Sequence, residues 1–153
     1  MKKLALVFAL SLVALVSFSQ TWVFEKAENK FDGFSMELAG VYGTGEFPYN
    51  RPEFGVRTSD EYGTEFLLGS VGYQYGSTVR MYVDNGEVYE FSFDTDEANT
   101  LVFIYLGDKK DEIISLLKNG SRLYIRIYSR SGAGEDFTFP LRGSTAAINK
   151  LGL

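Results

Sequence analysis

A chain of 153 residues with 20 acidic against 15 basic side chains carries a formal charge of −5, which repels a phosphate backbone and argues against nucleic acid as a partner. It contains neither Cys nor His, which removes disulfide staples, Cys–His and Ser–His nucleophilic catalysis and the usual zinc ligands. A sizeable hydrophobic core must then hold it together, and 13 Phe and 10 Tyr can supply one.

The chain opens on Lys2-Lys3, runs through an apolar block from Leu4 to Val16 and reaches Ser17-Phe18-Ser19 before Gln20. That is the three-part pattern of a cleavable secretory signal, too short in its apolar part to span a bilayer. Residues 1–19 are expected to be a signal peptide cleaved after Ser19, leaving residues 20–153 as one domain with no stable membrane span. Without Lys2 and Lys3, 13 basic residues face 20 acidic ones, and the charge falls to about −7. The expected location is periplasmic or extracellular.

Trp22 and Phe24 alternate with Val23 and Glu25, and Phe34, Met36 and Leu38 alternate with Ser35 and Glu37, with Asn29 to Gly33 as turn material between two strands. The stretch from Tyr42 to Arg51 carries Gly43, Gly45 and Pro48 without a period and reads as a long loop. Its Tyr42, Phe47, Tyr49 and Arg51 either form a binding surface or fold over the edge of the core. Phe54 to Thr58 and Thr64 to Leu68 form a further strand pair through Ser59 to Gly63, and Tyr73 and Tyr75 sit in a second aromatic turn.

The stretch from Thr78 to Phe93 fixes a hairpin. Val79, Met81 and Val83 alternate with Arg80 and Tyr82, and Tyr89, Phe91 and Phe93 alternate with Val88, Glu90 and Ser92. A two-residue Asn85-Gly86 turn would set Met81 opposite Glu90 and mix the faces. A three-residue Asp84-Asn85-Gly86 loop, with Gly86 left-handed, sets Met81 opposite Tyr89 and Arg80 opposite Glu90, giving one apolar face and one face with a cross-strand ion pair. The hydrophobic pattern selects the second register.

Asp94-Thr95-Asp96-Glu97 lacks the spacing and glycine of a calcium loop and reads as a solvated turn, so no metal and no cofactor are expected. Leu101 to Leu106 is a continuous apolar run, expected as a strand buried on both faces. A helix over about 108–118 follows, with Asp108 as N-cap, an apolar stripe of Ile113, Ile114, Leu116 and Leu117, and a stop at Asn119-Gly120. Asn119-Gly120-Ser121 matches a glycosylation sequon, but a helix C-cap explains the Asn-Gly pair.

Ser121 to Ser129 returns to strand alternation, with Leu123, Ile125 and Ile127 on one face and Arg122, Tyr124, Arg126 and Tyr128 on the other. Phe137, Phe139 and Leu141 point back to the core, and Ser144, as N-cap, opens a short C-terminal helix over about 144–151. The chain is therefore expected to be mainly β: a single-domain antiparallel β-sandwich with one inserted helix and one terminal helix.

The Arg122, Tyr124, Arg126, Tyr128 face, with Tyr73 and Tyr75 as neighbours, is the candidate binding site, because Tyr offers a flat apolar ring with a hydroxyl and Arg a planar fork. The alternative is the plain solvent side of a strand. Without His or Cys, catalysis is left to carboxylates, and Glu87 with Glu90 or Asp94 with Asp96 are the nearest pairs in sequence.

Trp22-Val23, Pro52 to Arg57, Val79 to Gly86, Leu117 to Ile127, and Phe137 to Ser144 with Ala147-Ile148 follow one another in an order that resembles the exported type VI secretion-associated accessory proteins. More distantly, it resembles the invasion-associated locus B proteins. The resemblance covers most of residues 20–153 and lies in framework positions. It implies a small periplasmic or cell-surface accessory module and carries over no catalytic residues. The reading is a secreted, non-enzymatic binding or accessory module of the bacterial cell envelope that engages a protein or envelope polymer; the alternative is a carboxylate-dependent hydrolase of cell-wall glycans.

Overall fold

A computed structural model gives the fold and describes residues 21–29, 34–44, 52–69, 75–96, 100–129, 132 and 134–153. The expected signal peptide, most of the aromatic loop from Tyr42 to Arg51, and Tyr73 lie outside these residues. Among the described residues are nine strands, β1 (Val23–Asn29), β2 (Phe34–Tyr42), β3 (Glu53–Ser59), β4 (Gly63–Gly69), β5 (Tyr75–Val83), β6 (Tyr89–Thr95), β7 (Leu101–Tyr105), β8 (Arg122–Ser129) and β9 (Gly134–Pro140), and two α-helices, α1 (Lys110–Asn119) and α2 (Ser144–Asn149). The strands form one continuous sheet in the order β1-β2-β3-β4-β7-β6-β5-β8-β9, with every neighbouring pair antiparallel.

The expected β-sandwich is realised by folding this one sheet over on itself, because alternation leaves one apolar face that must be covered. Inward residues from β2 to β9 and from both helices, among them Phe54, Phe66, Met81, Ile125, Phe139, Leu117 and Ile148, form a single buried core. The two ends of the sheet meet. Phe54 of β3 packs its ring 5.6 Å from Phe139 of β9, Thr44 N–H donates to the Thr138 carbonyl at 2.9 Å, and the Trp22 indole N–H donates to the Pro140 carbonyl at 3.0 Å. Each large side chain so buried contributes about 1.5–3 kcal/mol, so the Phe-rich core takes the place of disulfides.

The hairpin of β5 and β6 has the expected register, with Arg80 opposite Glu90 and Met81 opposite Tyr89. Its turn differs. Asp84, not Gly86, takes the left-handed conformation (φ 54°), and Gly86 N–H closes the turn onto the Val83 carbonyl. The physical reason is long-range: the Asp84 carboxylate accepts from the N–H groups of Ser121 (3.0 Å) and Arg122 (2.9 Å), while Asp84 N–H donates to the Arg122 carbonyl. The loop is thus clamped to the start of β8, and Asp tolerates positive φ better than most residues.

Three other expectations are corrected. The run from Leu101 to Leu106 is not buried on both faces. In β7 Val102 and Ile104 point inward, Tyr105 is 54% exposed, and Phe103 is half-covered by the Arg57 guanidinium 5.6 Å from its ring centre. Asp108 does not cap α1, because it lies within a 3-10 turn, Gly107–Lys109, that precedes the helix. Ser144 does not cap α2 either; Gly143 in the left-handed conformation does, and the buried Ser144 hydroxyl donates instead to the Leu117 carbonyl at 2.6 Å. With Thr145 Oγ1 donating to the Lys118 carbonyl and Gly120 N–H to that of Leu116, three carbonyls at the end of α1 are satisfied, two of them by the first turn of α2. This joint places the start of β8.

Candidate functional site

Strand β8 lies between β5 and β9, so the outward side chains of four adjacent strands share one surface. Because Arg80 stands opposite both Glu90 and Arg126, and Arg126 opposite Asp136, the row Glu90–Arg80–Arg126–Asp136 crosses β6, β5, β8 and β9. Arg80 Nε donates to Glu90 at 2.6 Å. Arg126 grips Asp136 with both ends of its fork, Nε to Oδ1 at 2.5 Å and the terminal nitrogen to Oδ2 at 2.6 Å. The two arginines and two carboxylates are each about half exposed. The bidentate bond from Arg126 holds the Asp136 carboxyl below its usual range, and Asp136 in turn holds the guanidinium charged, as Glu90 does for Arg80.

Tyrosines flank this row. Tyr82 and Tyr124, opposite one another, stack face to face at 4.6 Å and 10°. Tyr128 accepts at its hydroxyl from an Arg80 terminal nitrogen at 3.3 Å and receives the Arg80 guanidinium over its ring at 5.3 Å. Sequence reasoning found Tyr124, Arg126 and Tyr128, which the fold brings together. It missed Tyr82 and Asp136 and read Arg80 and Glu90 only as a hairpin ion pair. Their period of two was visible, but the β5–β8 pairing across some forty residues, which brings in Tyr82, and the β8–β9 register, which brings in Asp136, were not.

Arg122 begins β8 opposite Pro140 and is exposed; its backbone N–H is held by Asp84. Tyr75 begins β5, opposite Ser129. The expected basic stripe is electrically balanced in its centre, since each of the two central arginines has its own carboxylate. One face of each of Tyr82 and Tyr124 is covered by the other ring, and the Arg80 guanidinium lies over one face of Tyr128.

Three of the four carboxylates considered for catalysis, Glu90, Asp94 and Asp96, serve other ends. Glu90 pairs with Arg80, and Asp94 accepts from the Tyr105 hydroxyl at 3.0 Å. Asp96 accepts from Thr100 N–H, Leu101 N–H and the Thr100 hydroxyl. Partial burial pushes the Asp96 carboxyl up, but these three bonds outweigh it and hold the group below its usual value. Among the described residues no group of three or more acidic side chains gathers as a metal site would require, and no helix is long and apolar enough to cross a membrane.

No protein-family model matches the chain, and no curated protein matches it in sequence. Among solved structures it is similar to invasion associated protein B from Bartonella henselae, with a TM-score of 0.61 and 17% identity over 85% of this chain and 90% of that one. A likeness at this identity shows a common fold. The resemblance read from sequence to the invasion-associated locus B proteins thus has a counterpart in architecture, while nothing in these matches bears on type VI secretion.

Proposed function

We propose that this chain is an exported, non-enzymatic binding module of the bacterial cell envelope, acting after removal of residues 1–19 in the periplasm or outside the cell. Its partner is a protein, engaged by the face built on Arg80, Tyr82, Tyr124, Arg126 and Tyr128. The observation that carries this reading is the ordered row Glu90–Arg80–Arg126–Asp136 with its flanking tyrosines. Tyr and Arg are the residues that dominate protein interfaces, and forks already locked by ion pairs lose little freedom on docking. An envelope glycan is the poorer fit, since the centre of the face is a row of paired charges and one face of each flanking ring is already taken, by the partner tyrosine or by Arg80. Glu90, Asp94 and Asp96 are engaged in an ion pair, a tyrosine hydrogen bond and a turn, which supports binding over glycan hydrolysis. The fold shared with a protein named for its association with invasion is in keeping with an accessory role.

The test has two parts. Intact mass of the exported protein should correspond to residues 20–153; a chain that keeps Met1 to Ser19 contradicts the export reading. Purified residues 20–153 should then retain a specific protein from envelope extracts. Retention of purified cell-wall glycan, with no protein retained, would overturn the choice of partner.

A further inference from the structure

The chain contains two Asn-Gly steps, Asn85-Gly86 and Asn119-Gly120, and the fold treats them oppositely. We propose that Asn85 is a site of spontaneous covalent modification, through a succinimide to aspartate and isoaspartate, while Asn119 is protected. The chemistry requires only this chain and water. The backbone nitrogen of the following residue attacks the side-chain amide carbon of Asn; the new carbon–nitrogen bond closes a five-membered ring, and the side-chain amide nitrogen leaves as ammonia, taking up the proton lost by the attacking N–H. Water then opens the ring. Cleavage at the side-chain carbonyl gives aspartate, and cleavage at the main-chain carbonyl gives isoaspartate, whose backbone runs through one extra methylene.

Attack needs a following residue without a Cβ in the way, a free side-chain amide and a backbone that can turn. At Asn85 all three are present. The side chain is exposed and engages no hydrogen-bond partner among the described residues. A Cβ built on Gly86 would meet the Val83 carbonyl at 3.0 Å and no other atom beyond the chain neighbours within 4 Å, so apart from that carbonyl the surroundings are open. The restraint on Gly86 N–H is its bond to that carbonyl, at 2.9 Å, while the clamp to β8 acts one residue before Asn85, at Asp84.

At Asn119 the following residue is again glycine, but the side-chain amide and the backbone are both held. Its amide donates to the Ser115 carbonyl at 2.8 Å, its backbone is in the last turn of α1, and Gly120 N–H is held by the Leu116 carbonyl at 2.8 Å. Gly120 is also walled in, since its ideal Cβ position is 2.2 Å from Val83 Cγ1. Reaction there must break two hydrogen bonds and unwind a helix end, against one bond at Asn85.

The consequence reaches the candidate site. Asn85 follows Asp84, whose carboxylate pins Ser121 and Arg122 at the head of β8. An isoaspartate at position 85 lengthens the loop beside this clamp and adds a negative charge next to Asp84, so ageing at this turn loosens the anchor of the strand that carries Tyr124 and Arg126.

The experiment is incubation of the purified folded protein at mildly alkaline pH, with samples digested over time and the two Asn-Gly peptides followed by mass and by enzymatic isoaspartate detection. The Asn85 peptide should convert at least about tenfold faster than the Asn119 peptide, a barrier difference of about 1.4 kcal/mol. In denaturant the two rates should converge, because protection of Asn119 comes from the fold. An Asn85→Gln variant should show no conversion at this turn. Equal rates in the folded protein, faster reaction at Asn119, or a ratio that survives unfolding would each overturn the proposal.

Discussion

Replacing Asp84 by Ala, Gly and Asn separates the two things that hold the β5–β6 loop to β8. Asp84 sits at φ 54°, and its carboxylate accepts from two backbone N–H groups, of Ser121 and Arg122. Ala pays the steric cost of the left-handed region, about 1–2 kcal/mol. It also loses the acceptor, and because these groups are exposed, water replaces part of it, leaving a loss of about 1 kcal/mol for the pair. The sum is about 2–3 kcal/mol. With a urea m-value of about 2 kcal/mol/M, the Ala variant should unfold at a midpoint lower by just over about 1 M. Gly removes the acceptor and the steric cost together, so it should lose about 1 kcal/mol, and Asn, which tolerates positive φ and keeps one oxygen, less than that. The assay is urea denaturation of all four proteins by circular dichroism, at equal m-value. Coincident Ala and Gly midpoints would show that backbone strain plays no part, and an Ala variant as stable as the parent would refute the clamp altogether. Gly86→Ala provides the contrast: Gly86 has no positive φ, and its substitution should cost less than Asp84→Ala in the same melts.

Gly120→Ala places a Cβ 2.2 Å from Val83 Cγ1 and should cost about 1–3 kcal/mol through overpacking; an unchanged midpoint would show that the α1–β8 junction is loose. Ser144→Ala leaves the buried Leu117 carbonyl without its donor and should cost about 1–3 kcal/mol, whereas Thr145→Ala, at an exposed site, should cost less. Asp96 has a folded value below that of the unfolded chain, about 3.9, so its stabilisation is present above that pH and is lost as pH falls through the folded value. Stability of the parent should therefore fall on acidification below about pH 4, and Asp96→Asn should show a shallower fall; identical pH profiles would sink the assignment.

Much of this architecture is written locally. The register of β5 and β6 follows from which side chains alternate, since a slip of one residue would have turned Met81 toward solvent. What escaped is set by residues distant in sequence. Asp84 takes the left-handed position because Ser121 and Arg122 reach it from across the fold, and no local turn rule contains them. Ser144 looks like a cap from its neighbours, yet its hydroxyl is used by the end of α1. In β7 the aromatic residues Phe103 and Tyr105 mimic a doubly buried strand, and only the placement of Arg57 and Asp94 beside them explains how they face outward. The candidate site was half legible for the same reason: alternation along β8 exposed Tyr124, Arg126 and Tyr128, but Asp136 and Tyr82 join them only through sheet order. Half of that face's charge balance, Arg80 with Glu90, follows from the hairpin register; the other half, Arg126 with Asp136, rests on the register of β8 with β9.

A charge swap tests most directly whether a protein partner reads the face crossed by Glu90, Arg80, Arg126 and Asp136. Arg126→Asp with Asp136→Arg keeps an opposite-charge pair opposite one another on β8 and β9 while reversing its direction, so the urea midpoint should stay within about 0.5 kcal/mol of the parent. Affinity for the retained envelope protein, measured by titration calorimetry, should fall by about tenfold or more, about 1.4 kcal/mol. A swapped protein that folds as the parent does and binds with undiminished affinity would contradict the assignment of this face.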